Sequence, residues 1–153
     1  MKLIQGVVTR QLNRIVDERG YLAELLRSDW EIFERFGQLY LTTARPGVIK
    51  AWHMHERQTD YFICVHGMVK LALWDAREDS PTHRMINEFF MGDENLLLVK
   101  IPPRVMHGFK ALGPAMAIML NCPTQLYAYT MPDEHRLPYD TPEIPYDWAV
   151  KMG

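Results

Sequence analysis

The sequence lacks any apolar run approaching the roughly 18 residues that a membrane-spanning helix needs. It has no basic block either: 17 Lys and Arg stand against 19 Asp and Glu, a formal net charge of -2. Nucleic-acid binders carry a clustered basic footprint, so neither nucleic acid nor membrane is expected as a partner. A local cationic pocket for a small anion is still compatible with this balance. Cysteine is scarce, and Cys64 and Cys122 both lie in apolar segments. They read as small buried residues rather than as a disulfide. The short apolar run from Met1 to Leu12 is broken by Gln5, Gly6 and Arg10, unlike the anatomy of a secretory signal. Together these features predict a reducing, cytoplasmic setting. Long amphipathic helices are missing as well, which argues against a doubly wound α/β fold.

What the sequence does have is core material. Apolar residues make up 48% and charged residues 24% of 153 positions, which suits one globular domain spanning 1–153. Apolar or β-rich stretches run from Gln38 to Thr43, Asp60 to Val65, Val69 to Asp75, Asn95 to Ile101 and Ala115 to Leu120. Pro46-Gly47, Gly67, Pro102-Pro103 and Gly113-Pro114 punctuate them. Short strands at this spacing predict an all-β sandwich or barrel. One short helix is expected over Asp29 to Phe36, with Ser28 or Asp29 as N-cap and Gly37 after the last turn. The segment 131–153 cannot be regular helix, since Pro132, Pro138, Pro142 and Pro145 interrupt it. It nevertheless carries Leu137, Tyr139, Ile144, Tyr146 and Trp148, so it is expected to be an ordered, extended tail.

The chemistry concentrates between Gly47 and Gly67 and around His107. In an extended chain His53 and His55 project to one side. Asp60 can return to that side on the next strand, and His107 follows a proline turn into another strand. Three or four such groups converging in a barrel make either a metal site or a polar catalytic pocket. His66, His83 and His135 fall outside this pattern and are expected at the surface.

The spacing of Gly47, His53, His55, Asp60 and Gly67 resembles the first cupin motif, G-x5-H-x-H-x4-E-x6-G, with Asp60 where glutamate is usual. Pro102 to His107 resembles the second motif, P-x-G-x2-H, with Arg104 in place of glycine. The implied fold is a cupin, a double-stranded β-helix or jelly-roll barrel, with one or two short helices. A closer resemblance runs along nearly the whole chain, to the dTDP-4-dehydrorhamnose 3,5-epimerase family. It is carried by Asp17-Glu-Arg19-Gly20-Tyr-Leu-Ala-Glu24, Lys50-Ala-Trp-His53, Asp75-Ala-Arg77-Glu-Asp-Ser80-Pro81-Thr82, Ile101-Pro-Pro-Arg-Val-Met-His107-Gly108-Phe109 and Tyr139-Asp140-Thr-Pro142.

That resemblance implies an isomerase working without a cofactor on a nucleotide sugar, as a homodimer with strands exchanged between subunits. It makes His53 the base and Asp140 the carboxylate that pairs with it. It places Arg19, Glu24, Gln38 and Lys50 around the nucleotide diphosphate, with Asn121 as a further substrate contact. The family's proton-donating tyrosine falls on Asn121 and its catalytic lysine on Asp60; the supporting tyrosine is kept as Tyr127.

These residue types suit proton transfer beside a ketone. A keto group at C4 of a sugar acidifies the hydrogens on C3 and C5. A histidine of ordinary pKa is mostly neutral and basic at pH 7, and a carboxylate on its other nitrogen supports the imidazolium. His107 or Lys50 can hydrogen-bond the enolate oxygen. A donor on the opposite face would be Tyr127, Tyr61 or water. The His53 and His55 pair also fits a 3,4-ketoisomerase on a dTDP-4-keto-6-deoxyhexose. Two other readings stand beside these: a cupin holding a divalent metal ion on His53, His55, Asp60 and His107, and a non-catalytic nucleotide-sugar binder.

Overall fold

Apolar runs and turn residues become twelve strands in the computed structural model, which describes residues 1–152. In chain order they are β1 (Val8–Gln11), β2 (Ile15–Asp17), β3 (Gly20–Leu22), β4 (Tyr40–Ala44), β5 (Ile49–Met54) and β6 (Asp60–His66). There follow β7 (Met68–Asp75), β8 (Ile86–Gly92), β9 (Leu97–Ile101), β10 (Val105–Leu112), β11 (Ala117–Asn121) and β12 (His135–Arg136). Apart from the β2–β3 hairpin they form two five-stranded antiparallel sheets, β1-β9-β6-β11-β4 and β12-β5-β10-β7-β8. This is the jelly-roll barrel the motifs imply.

Central strands of both sheets are buried on two faces, which explains why they read as continuous apolar runs. Val69, Leu71 and Leu73 of β7 meet Phe62, Val99 and Met119 between the sheets. Their neighbours Ala72 and Trp74 point outward and are covered by Trp52, Ile144 and Trp148. On the other sheet, Tyr61, Ile63 and Leu98 lie beneath Leu12 and Ile32. Each large side chain so buried contributes roughly 1.5–3 kcal/mol. The tail is tied down by backbone as well as by packing. Trp52 N–H donates to the Leu137 carbonyl, and Leu137 N–H donates back to that of Trp52. Lys70, almost fully buried, donates to the carbonyls of Asp147 and Ala149.

The expected helix over Asp29–Phe36 does not form, and no helix occurs among the described residues. Tertiary partners take the backbone groups that a helix would use. The buried Tyr61 hydroxyl donates to the Ile32 carbonyl and accepts the Glu34 N–H. The Gly37 and Gln38 N–H groups donate to the Pro123 carbonyl. Gly37 is no left-handed cap: a Cβ there would lie 2.6 Å from the backbone of residues 124 and 125, so it permits a close crossing. The Asp75-x-Arg77 motif closes the β7–β8 connection. Arg77, Ser80 and Thr82 all donate to the Asp75 carboxylate, and Thr82 Oγ1 accepts the Gln5 N–H.

Candidate active site

Strands β5 and β10 pair irregularly, and this aims the site. His107 lies opposite His53, yet Phe109 lies opposite Lys50, so β5 advances three residues while β10 advances two. A regular strand would send Lys50 and His53 to opposite faces. The irregularity lets both reach one cavity, of about 850 Å³, between the sheets. Gly108 makes the close pairing possible, because a Cβ there would fall 2.2 Å from that of Ala51.

His53, His55, His107, Gln38, Lys50 and Tyr127 all line this cavity. His53 Nδ1 lies 3.1 Å from Glu134 Oε1. Burial lowers the pKa of His53, partly offset by Glu134. The ring is therefore neutral at pH 7, with Nδ1–H on the carboxylate and Nε2 free as a base. Burial alone would raise the pKa of Glu134, but hydrogen bonds from Arg136 and His53 bring it below the ordinary value, so it stays ionised.

Deeper in the barrel, Asp60 and His107 are almost fully buried. Gln58 and Asn121 each donate to Asp60 Oδ1 at 2.7 Å. Nε2 of His55 and Nε2 of His107 each stand 3.6 Å from Asp60 Oδ2. These three residues, without His53, are the cluster with metal-ligand spacing among the described residues. Burial depresses the pKa of His107 to about 4, the Asp60 charge opposing it only in part. With Nδ1 3.1 Å from the Val105 carbonyl, neutral His107 turns a lone pair, not a hydrogen, toward the cavity. It cannot donate to an enolate oxygen in that form, contrary to the expectation from sequence.

Three more expectations need correction. Asp140 is exposed and outside the cavity lining, and the carboxylate at His53 is Glu134. The cause is β12, whose register sets Arg136 against His53 and so delivers the residue before β12 to the ring. Asn121 is not a wall of the cavity. It accepts the Tyr61 N–H and donates to Asp60 and to the Tyr40 hydroxyl, which uses its amide fully. Arg19 and Glu24 lie outside the cavity of their own chain, paired with Asp17 and Arg27. His66, His83 and His135 are exposed, as expected.

Sequence reasoning missed Glu134, Asp133, Arg57 and Tyr40, which all line the cavity. Asp133 holds the loop after β5: its carboxylate accepts the N–H groups of Glu56 and Arg57, and its carbonyl accepts from His55 Nδ1. Tyr40 sits directly opposite Asn121 in the β4–β11 register. The acidic pair preceding His135 was the one available hint, and nothing local says which strand it joins.

A jelly-roll barrel whose two sheets enclose a histidine pocket is the architecture of the cupins. The family model for dTDP-4-dehydrorhamnose 3,5-epimerase matches residues 2–153. A probable low-salt glycan biosynthesis epimerase of Haloferax volcanii, Agl13, is 43% identical over 99% of both chains. The spore coat polysaccharide biosynthesis protein SpsL of Bacillus subtilis is 38% identical over 98% of this chain and 99% of its own. A crystal structure of a dTDP sugar isomerase from Desulfovibrio desulfuricans superposes with a TM-score of 0.91 at 33% identity, covering 97% of this chain and 94% of the other. The chain belongs to the dTDP-4-dehydrorhamnose 3,5-epimerase family, a family of sugar-nucleotide isomerases.

Proposed function

We propose that this protein epimerises a dTDP-4-keto-6-deoxyhexose at a carbon beside the ketone, with His53 as the base and Glu134 as its partner. The observation that carries the reading is the 3.1 Å His53–Glu134 contact on the wall of a cavity large enough for a nucleotide sugar. His53 Nε2 takes the proton from C3 or C5. Lys50, which donates to Thr42 at 2.7 Å, supplies a positive charge for the enolate oxygen or the diphosphate. Arg57 and Arg136, also in the lining, add charge-assisted donors for the diphosphate. Gln38, whose Oε1 accepts the Tyr127 N–H, and the aromatic pair Tyr127 and Tyr129 flank the mouth where a base would stack.

Return of the proton from the opposite face needs a donor. Tyr40 fits: it lies on the sheet facing β5, accepts from Asn121 and so has its own hydrogen free to give. Burial raises its pKa, which keeps it protonated. The reaction moves protons and no net electrons, so it calls for no redox cofactor. A 3,4-ketoisomerase would need His55 as a second base beside His53. His55 is instead committed at Nδ1 to Asp133 and faces Asp60 with Nε2.

The enzyme is a homodimer in this reading. Ile15, Val16, Tyr21 and Leu22 of the β2–β3 hairpin are each more than half exposed, an apolar face that a second subunit would cover. Arg19 and Glu24 would then serve the partner's cavity. A cytoplasmic location agrees with the two free, buried thiols. Incubation with dTDP-4-keto-6-deoxyglucose, followed by proton NMR, is expected to give a C3 or C5 epimer. Unchanged substrate, together with no calorimetric binding of dTDP at millimolar concentration, would overturn the proposal.

A further inference from the structure

The deep end of the cavity presents three electron-pair donors to one another and no hydrogen between them. They are Nε2 of His55, Nε2 of His107 and Oδ2 of Asp60, all within 4.8 Å of each other. Each histidine is committed at Nδ1 to a backbone carbonyl, that of Asp133 for His55 and that of Val105 for His107. A carbonyl only accepts, so Nδ1 carries the hydrogen, and Nε2 of the neutral ring points a lone pair into the cluster. Asp60 is fixed in the same sense: both amide donors fall on Oδ1, leaving Oδ2 to face the rings. At 3.6 Å neither ring hydrogen-bonds that oxygen. Desolvated lone pairs so arranged repel unless a cation lies among them.

We propose that His55, Asp60 and His107 form a binding site for one divalent first-row transition-metal ion. Two imidazoles and one carboxylate favour Zn, Fe, Co or Mn over Mg or Ca, which prefer all-oxygen sites. For bonds of about 2.1 Å, ligand atoms stand roughly 3.0–3.4 Å apart in octahedral or tetrahedral geometry, so the 3.6 Å separations need to contract by only a few tenths. The outer contacts are those that metal ligands normally have: imidazole N–H on backbone carbonyls and a carboxylate held by amides. His53 stays out of the ligand set, because Glu134 claims its Nδ1 and its ring centroid is 6.4 Å from that of His107. Open coordination positions would face the cavity, where the ion could stabilise negative charge developing on a substrate oxygen. The site rests on its own geometry and not on the sugar reading.

The full-length protein, stripped with a chelator, should be titrated with Co²⁺ by calorimetry and by visible absorption. One ion per chain is expected, with ligand-field bands showing imidazole coordination. Asp60→Asn and His55→Gln should each weaken binding by about 100-fold or more, with circular dichroism confirming that the variants fold. His53→Ala should bind Co²⁺ like the parent. Absence of uptake at millimolar Co²⁺ or Zn²⁺, or equal uptake by both ligand variants, overturns the site. Stripped protein that takes up no Co²⁺ yet exchanges sugar hydrogens sinks this inference and leaves the epimerase standing. Uptake of one ion without any exchange does the reverse.

Discussion

His53 meets two opposing demands. Burial favours its neutral form, which is the form that can accept a proton, while Glu134 must hold the imidazolium once it has formed. Replacing Glu134 with Gln keeps the shape but loses the charge. Exchange at the sugar carbon should then slow by roughly 10²–10⁴-fold, with dTDP binding nearly unchanged. Asp140→Asn, on an exposed turn, should behave like the parent in the same stopped-time assay. A large defect in Asp140→Asn would put the base's partner back where the family pattern sets it. A second carboxylate works for stability alone. Burial pushes the Asp75 carboxyl up, but donors from Arg77, Ser80 and Thr82 outweigh it and hold the group at about 2. Its folded pKa is thus below the unfolded 3.8, so its contribution is full above pH 4 and fades as pH falls toward 2. Asp75→Asn should cost about 2 kcal/mol at pH 7 and almost nothing at pH 2, read by urea unfolding at both pH values. An equal loss at both would mean that packing, not charge, is responsible.

Strands in this protein were legible where burial on two faces made long apolar runs, as in β6 and β7. The helix over Asp29–Phe36 was not, because its caps and spacing are local signals while Tyr61 and Pro123 decide the backbone from a distance. His53, His55, Asp60 and His107 were legible for a related reason. Their spacing sits on neighbouring strands whose register follows from short turns. Glu134 reaches His53 across 81 residues of sequence through a two-residue strand, and no periodicity marks so short an element. The irregular β5–β10 pairing is equally silent in sequence, though Gly108 makes it possible. Gly108→Ala should destabilise the fold by roughly 3 kcal/mol, since its Cβ would overlap Ala51 across the pair. Thermal unfolding within about 2 °C of the parent would show that β5 can give way at no cost.

At the scale of the whole molecule, each chain carries a complete base dyad and an incomplete anion site. Arg19 stands on a hairpin whose apolar face is open, remote from its own cavity. Sedimentation at micromolar concentration should give a dimer. Arg19→Ala and His53→Ala proteins, each inactive alone, should recover roughly a quarter of parental activity when unfolded and refolded as an equal mixture, because half of the dimers then hold one intact site. No recovery in a mixture that sediments as dimers would keep Arg19 out of the partner's site. The central claim is narrower than the assembly: His53 removes a hydrogen from the carbon beside a sugar ketone. It is tested most directly by incubating dTDP-4-keto-6-deoxyglucose with the enzyme in heavy water and locating deuterium by NMR. The parent should place deuterium at C3 or C5 and His53→Ala should place none. Deuterium incorporation by His53→Ala at the parental rate would contradict the account.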